Sequence, residues 1–412
     1  MTSLTRRTLL TAAASTLWCW PREDEEVHPG DASFQLAASN VASAGSSEPL
    51  FVDRFIEHEV EVGYVHCPSL CEVSPGALAC AWYAGTREGA KDVGVWVSDL
   101  SPLATTSSAV ESSAAVSAPP GGVNAWSAPR VILDREIATQ ELDRFIRKVG
   151  NALLFTDAEQ RLWLIYVSIA VGGWSGSSLN ARCSLDRGIT WQPSHRLSLS
   201  PCFNISELVR AAPVRLDSGE IGLPIYHEFV GQFPEMLWLR PSGNRLSATK
   251  TRMTGGHSFI QPVIVPMGPK HAIAYLRNLT ADRCIGYQET QDAGRTWTAP
   301  RSLSLPNPNS SMAAVRLSNG SVLMAFNDST KNREDMTLAV SPDGINDWKR
   351  IMELDRVPQE FFAYPYMIQS SDGMIHLVYS WKMRKVRHVA FNEAWVKRQL
   401  NSPPQTSLGG QL

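Results

Sequence analysis

The chain has 412 residues, of which 43% are apolar and 19% charged, with thirteen tryptophans and a formal net charge of −2. That apolar content excludes a disordered chain, and the near-neutral charge gives no basic surface for a polyanion, which argues against nucleic acid as a partner. The sequence holds no P-loop, no GxGxxG and no HExxH, so no cofactor is expected.

The N-terminal stretch "TRRTLLTAAASTLWCW" pairs Arg6-Arg7 with an apolar run from Thr8 to Trp20. The run is too short to span ~30 Å of hydrocarbon. It reads as an export signal of the twin-arginine type, or as an ordinary secretory signal that happens to contain an arginine pair. Both lead out of the cytoplasm, to the periplasm or beyond, with no membrane span. The small-residue motif Ala42-Ser43-Ala44 suits cleavage, so residues 1–45 are expected to be a leader outside the fold. Removing it leaves six of seven cysteines: Cys67, Cys71, Cys80, Cys183, Cys202 and Cys284. They are even in number and open to pairing in an oxidising compartment, or else buried free thiols. His66-Cys67 with Cys71 lacks a second ligand pair, so no metal site is expected.

Strand signals then recur along the chain. Turn residues followed by an apolar run end at an aromatic six times, at Tyr83, Tyr166, Tyr226, Tyr275, Phe326 and Tyr379. The later steps are 60, 49, 51 and 53 residues, and a period near fifty with several strands per period predicts propeller blades. The first step is longer because the Ser/Ala/Pro-rich stretch 101–123 interrupts it, an insertion between the strand "VGVWVSDL" and "AWSAPRVIL", which itself matches "TWTAPRSL" at Thr296.

Three further segments share a second pattern: "SLDRGITW" from Ser184, "TQDAGRTW" from Thr290 and "SPDGINDW" from Ser341. This is the Asp-box, in which Asp and Gly shape a hairpin turn and Trp tucks between sheets. Asp186, Asp292 and Asp343 are therefore turn residues. Helical periodicity sustained over ten or more residues is hard to find after Gly45. The expected fold is all-β, a six-bladed β-propeller with Asp-box hairpins over residues 46–400, followed by a tail at 401–412.

This architecture resembles the sialidases. The closest likeness is to bacterial sialidase-like proteins with Asp-box repeats, which share the phrases "GTREGA.DV", "LPIY.E", "IQP" and "LPNPNS" found here at Gly85, Leu223, Ile260 and Leu305. The resemblance implies roles residue by residue. An arginine followed five residues later by the acid catalyst fits Arg87 and Asp92, with Arg87 tuning Asp92 or touching substrate. The tyrosine nucleophile fits Tyr364 in "FAYPYMIQ", and two members of the carboxylate-binding arginine triad fit Arg277 and Arg333.

The chemistry is coherent. A planar guanidinium pair grips a carboxylate in two places. A neutral phenol attacks beside that carboxylate without the repulsion a charged nucleophile would meet. Asp92 would need a carboxyl pKa raised by partial burial to act as an acid.

Three positions depart from the pattern. His66 stands where the first triad arginine is expected, Gln261 where a glutamate draws the proton from tyrosine, and Ser380 where a carboxylate orients the missing arginine. An amide is no base at neutral pH, and a phenol with a pKa near 10 needs one; His66 and Glu228 are the candidates. Asn151 and Asn327, with His227, Asn307 and Asn309, stand at expected blade mouths and suit sugar hydroxyls.

The resemblance thus implies a monomeric exo-glycosidase that removes a terminal acidic sugar, sialic acid or similar, from a glycan. Two alternatives stay open: a glycan-cleaving enzyme for another carboxylated sugar, and a glycan-binding propeller without catalysis.

Overall fold

The computed structural model describes residues 32–36, 48–58, 62–101, 125–200, 204–255 and 257–402. The arginine pair of the expected export signal, the Ala42–Ala44 motif, nearly all of the expected insertion at 101–123, Cys19, Cys202 and the tail beyond Ser402 lie outside these residues.

Six antiparallel sheets of four or five strands form the propeller. The innermost strands are Tyr64–Ser74 in blade 1, Lys148–Thr156 in blade 2, the short pair Leu208–Val209 and Val214–Arg215 in blade 3, Phe259–Pro266 in blade 4, Ala313–Arg316 in blade 5 and Phe362–Gln369 in blade 6. Second strands such as Leu162–Ile169 are buried along their whole length. This is why they read as continuous apolar runs ending in an aromatic rather than as alternating patterns: each is covered on both faces by neighbouring blades.

Blade 6 takes its outermost strand from the other end of the chain. Phe51–Ile56 pairs antiparallel with Phe391–Val386, which closes the ring and leaves no free edge between first and last blades. A buried ion-pair network fastens the closure. Arg387 bonds Asp53 on the N-terminal strand and Asp355 of blade 5, 2.7 Å away, while Asp355 also accepts from Tyr379 and Trp381.

The Asp-boxes sit between third and fourth strands, on the outer side. In each, the aspartate accepts a backbone N–H further round the turn, from Thr190, Thr296 and Asn346 at 2.7–2.8 Å. The box's opening Ser184, Thr290 or Ser341 accepts the glycine N–H. Trp348 meets Tyr275 of the preceding blade edge-on at 6.1 Å, and Tyr275 donates to Gly344 O at 2.8 Å. The early glycine of the third box is thus accommodated without losing the inter-blade wedge.

Three features refine or correct these expectations. Among the described residues there are two short helices: Arg135–Glu141, capped by Asp134, and Glu393–Asn401, capped by Asn392. The second packs Trp395 on Phe51 and Phe391, so at this length capping and tertiary packing decide rather than periodicity. Among the described residues neither helix is long and apolar enough to cross a membrane. Packed chain also begins before residue 46. Segment Ala32–Leu36 lies across blades 3 and 4, with Phe34 N–H donating to Pro269 O at 2.6 Å and Gln35 N–H to Arg215 O at 2.8 Å. Finally, the five described cysteines, Cys67, Cys71, Cys80, Cys183 and Cys284, are free.

Phe34 is only 4% exposed and packs among Leu216, Met236, Trp238, Met253 and Trp297. Phe34→Ala is expected to cost about 3–5 kcal/mol, read as a lowered denaturation midpoint; an unchanged midpoint would mean this segment is not docked in solution.

Candidate active site

The inner strands share one irregularity. Register breaks that add one residue fall between His66 and Ser69, Gly150 and Leu153, Ile260 and Val263, and Ala363 and Tyr366. In each bulge the first extra residue takes a left-handed backbone: Cys67 at φ 59°, Asn151 at 41°, Gln261 at 53° and Tyr364 at 55°. Ser206 and Asn309 do the same in the remaining two blades, at 63° and 59°. Prolines follow three of the four, at Pro68, Pro262 and Pro365, and a residue without N–H suits a place where the ladder has no partner for one. Asparagine tolerates this backbone, whereas for Tyr, Gln and Cys it is uncommon and costs about 1–3 kcal/mol each. The bulges re-aim these side chains, and four of the six, on Asn151, Gln261, Asn309 and Tyr364, meet one another or partners from other blades at one end of the channel.

There they build a linked set. Arg277 donates through Nε to Asn309 Oδ1 at 2.7 Å, and one terminal nitrogen lies 3.3 Å from Gln261 Oε1 and 3.5 Å from the Tyr364 hydroxyl. Gln261 in turn donates to the Tyr226 hydroxyl at 3.0 Å, which Asn151 approaches at 3.5 Å. The Arg333 guanidinium lies 5.8 Å from the Tyr364 ring centre and donates to Asn309 O. Chain positions far apart are thereby brought together: Asn151, Gln261, Arg277, Arg333 and Tyr364 meet across blades 2, 4, 5 and 6.

His66 joins them from blade 1. Its ring meets that of Tyr364 edge-on at 4.5 Å, it is 4% exposed, and its Nδ1 has no hydrogen-bond partner. Burial, with Arg210, Arg333 and Arg277 nearby, holds its pKa well below the ordinary histidine value. The imidazole is neutral and resists taking a proton. Glu228, half-buried at the rim, is shifted the other way: burial raises its carboxyl pKa, against the opposing pull of Arg277. Of the two candidate bases, the carboxylate is the better proton acceptor.

Asp92 differs from expectation. It is exposed, and its carboxylate accepts the Thr86 N–H at 2.9 Å and the Thr86 hydroxyl at 3.0 Å. What burial it has pushes its pKa up, but these bonds and the neighbouring Arg87 outweigh it and the pKa is lowered. The expected burial-raised acid is therefore not formed in this state. Arg87 is exposed on the same turn. Asn327 also falls outside the cluster: fully buried, it donates to Asp335 O and to Phe362 O at 2.9 Å, tying blade 5 to blade 6.

The BNR repeat-like domain family matches residues 76–377. The chain belongs to this family. Among solved structures, this BNR repeat-like protein is similar to a protein of unknown function from Dyadobacter fermentans (TM-score 0.62, 13% identity, covering 82% of this chain and 97% of that one). It is similar also to the Hadza microbial sialidase Hz136 (0.61, 16%, 82% and 68%) and to the NanB sialidase of Streptococcus pneumoniae (0.60, 12%, 87% and 72%). At such identities the likeness is one of fold. No curated protein matches.

The BNR repeat-like site contains residues that the sequence did not single out. Tyr226 served only as a period marker, yet its hydroxyl is the hub between Gln261 and Asn151. Tyr64 and Tyr83 wall the pocket around His66, at 5.0 and 5.7 Å. Arg210 is buried beneath Tyr364; its one sequence signal is a lone cation inside the run "LVRAAPV". The cavity at the opposite end of the channel, lined by Leu70, Phe155, Val265, Arg316, Tyr366 and Gln369, shares no residue with this cluster.

Thr86→Val removes one of the two bonds that hold the Asp92 carboxyl low, so the carboxyl is expected to titrate at higher pH, followed by carbon NMR of the side chain. A depressed folded-state pKa stabilises above the ordinary carboxylate range and that gain is lost as pH falls through the lower value. Wild type and variant should therefore converge in thermal stability at strongly acidic pH; an unshifted titration would show that Thr86 does not hold Asp92.

Proposed function

We propose that this protein is an exo-acting glycoside hydrolase of the sialidase kind, which removes a terminal carboxylated sugar from a glycan. The observation that carries the reading is the Tyr364 hydroxyl lying 3.5 Å from Arg277, with Arg333 against the same ring, at the mouth of a six-bladed propeller. Two guanidiniums hold the sugar carboxylate and set the anomeric carbon over the phenol. The Tyr364 oxygen bonds to that carbon as the glycosidic C–O bond breaks, and Asp92 gives the leaving oxygen its proton. Water then displaces the tyrosine.

The phenol's proton goes to a base. Glu228 fits this role better than His66, because burial raises the basicity of the carboxylate whereas burial and, after it, three cations suppress that of the imidazole. His66 then stands in the third arginine's place as a neutral wall. Arg87 and Asn151 face the sugar's remaining groups, and Gln261 aligns Arg277. Since Asp92 rests ionised on an exposed loop, its use as an acid requires the bound glycan to cover it and take water away. The arginine pair Arg6-Arg7 and the apolar run after it support export.

A second reading has its own support. The neutral His66 leaves two guanidiniums where three are expected, a weaker demand for one carboxylate placement, which favours another carboxylated sugar such as a uronic acid or a related nonulosonate.

Hydrolysis of a fluorogenic aryl sialoside is the first test, followed by a panel of acidic glycans. Tyr364→Phe should abolish turnover. Asp92→Asn should slow glycan hydrolysis by about 10²–10⁴-fold yet spare much of the aryl rate, since an aryl leaving group needs little acid help. Turnover on other acidic glycans but not sialosides would establish the second reading. Binding without turnover across the panel, unaffected by Tyr364→Phe, would make the protein a glycan-binding propeller instead.

A further inference from the structure

Arg210 is an unusual cation. It is 4% exposed, and among the described residues no carboxylate pairs with it. Its two terminal nitrogens donate to carbonyls instead, one to Pro68 O at 3.0 Å, the other to Pro365 O at 3.1 Å and to Tyr364 O, while its Nε has no partner among the described residues. Its plane lies against two rings, 5.3 Å from the Tyr364 centre and 5.6 Å from that of Tyr366.

Those three carbonyls belong to the bulges of blades 1 and 6. A bulge takes its extra residue out of the ladder, and the buried carbonyls so released need donors from elsewhere. Arg210 reaches them from blade 3, across the channel. Its forked shape suits the task, because one planar group serves two strands at once, which a lysine point charge does not.

We infer that Arg210 is a positioning residue that locks the left-handed bulge at Tyr364 and, with it, the aim of the phenol toward the sugar held by Arg277 and Arg333. The inference rests on the proposed role of Tyr364. It explains how a tyrosine stays in a backbone that it would rarely adopt unaided, and why a buried guanidinium is kept where no anion answers it. The same grip on Pro68 O fixes the strand that carries His66, so the two rings meet through one shared strut.

The test is Arg210→Lys in the full chain labelled with 3-fluorotyrosine, the Tyr364 fluorine resonance being assigned by its loss in Tyr364→Phe. The Tyr364 resonance should shift or broaden while those of Tyr275 and Tyr379, buried elsewhere, stay in place. On whichever acidic glycoside the wild type cleaves, kcat should fall about 10²-fold with KM within twofold, because Arg277 and Arg333 still bind the carboxylate. An unmoved Tyr364 resonance with unchanged kcat overturns the inference. If Arg210→Lys does not fold, the double variant with Tyr364→Gly decides: glycine needs no restraint at this backbone, so recovery of folding supports the strut and continued failure overturns it. A wild type without turnover would defeat the proposed function alone, since the fluorine measurement needs no substrate.

Discussion

The structure depends on a single backbone constraint repeated around a ring. At one end of each inner strand a residue turns left-handed, and in four blades the register break lies at the same place relative to the second strand. An unbroken strand would alternate its side chains between the two faces of the blade, into contact with neighbouring blades. In four blades the bulge turns one side chain out of that alternation, and in the other two Ser206 and Asn309 turn left-handed just before the inner strand. The chain can thereby carry a tyrosine, a glutamine and asparagines at this end while the rest of each strand stays buried.

That concentration has an electrostatic cost. Arg210, Arg277 and Arg333 all lie near His66, and their field adds to the burial that suppresses its basicity. Among the described residues none of the three is ion-paired to a carboxylate, although Arg277 pulls on Glu228 at the rim. Arg277 is held by the amide oxygens of Gln261 and Asn309, Arg333 by a backbone carbonyl, and Arg210 by three. Dipoles hold each cation in place but do not cancel its charge. A carboxylate arriving from water would meet fixed charges whose reorganisation has already been done during folding, the condition under which electrostatic stabilisation is most effective.

Much of this was legible in the sequence, and the division follows physical lines. The six aromatics at a step near fifty mark second strands, and they repeat because burial on both faces repeats. The Asp-boxes are local turns whose bonds span three or four residues, so a short window contains their cause. Arg277, Arg333 and Tyr364 could be read from their places relative to such strands. Tyr226 and Arg210 could not, because what matters about them is which residues face them across the channel, and nothing adjacent in sequence records that. Asn327 misled for the same reason: its place at a strand end suited the mouth, yet its amide is spent on Phe362 O in the next blade. Asp92 misled more instructively. Its position in the turn was right, but Thr86, six residues earlier, supplies two hydrogen bonds that a reading by motif alone does not weigh.

The three departures from the expected arginine triad fit together once their contacts are known. A guanidinium at position 66 would be buried, and it would need the carboxylate expected at position 380; leaving either alone would strand a charge at a cost of about 3–5 kcal/mol. Here both are neutral. Ser380, in place of the carboxylate, accepts the Cys67 N–H at 3.0 Å and so holds the bulge next to His66. Gln261, in place of the glutamate, keeps an oxygen toward Arg277 and gains an N–H for Tyr226, a donor that a carboxylate lacks. Each replacement finds a partner that suits its own chemistry. Random loss would leave orphaned charges, whereas positions 66, 261 and 380 carry none; His66 Nδ1, without a hydrogen-bond partner among the described residues, belongs to a neutral ring at the pocket wall. The pattern is that of a pocket whose first position is neutral and whose neighbours at 261 and 380 are neutral with it.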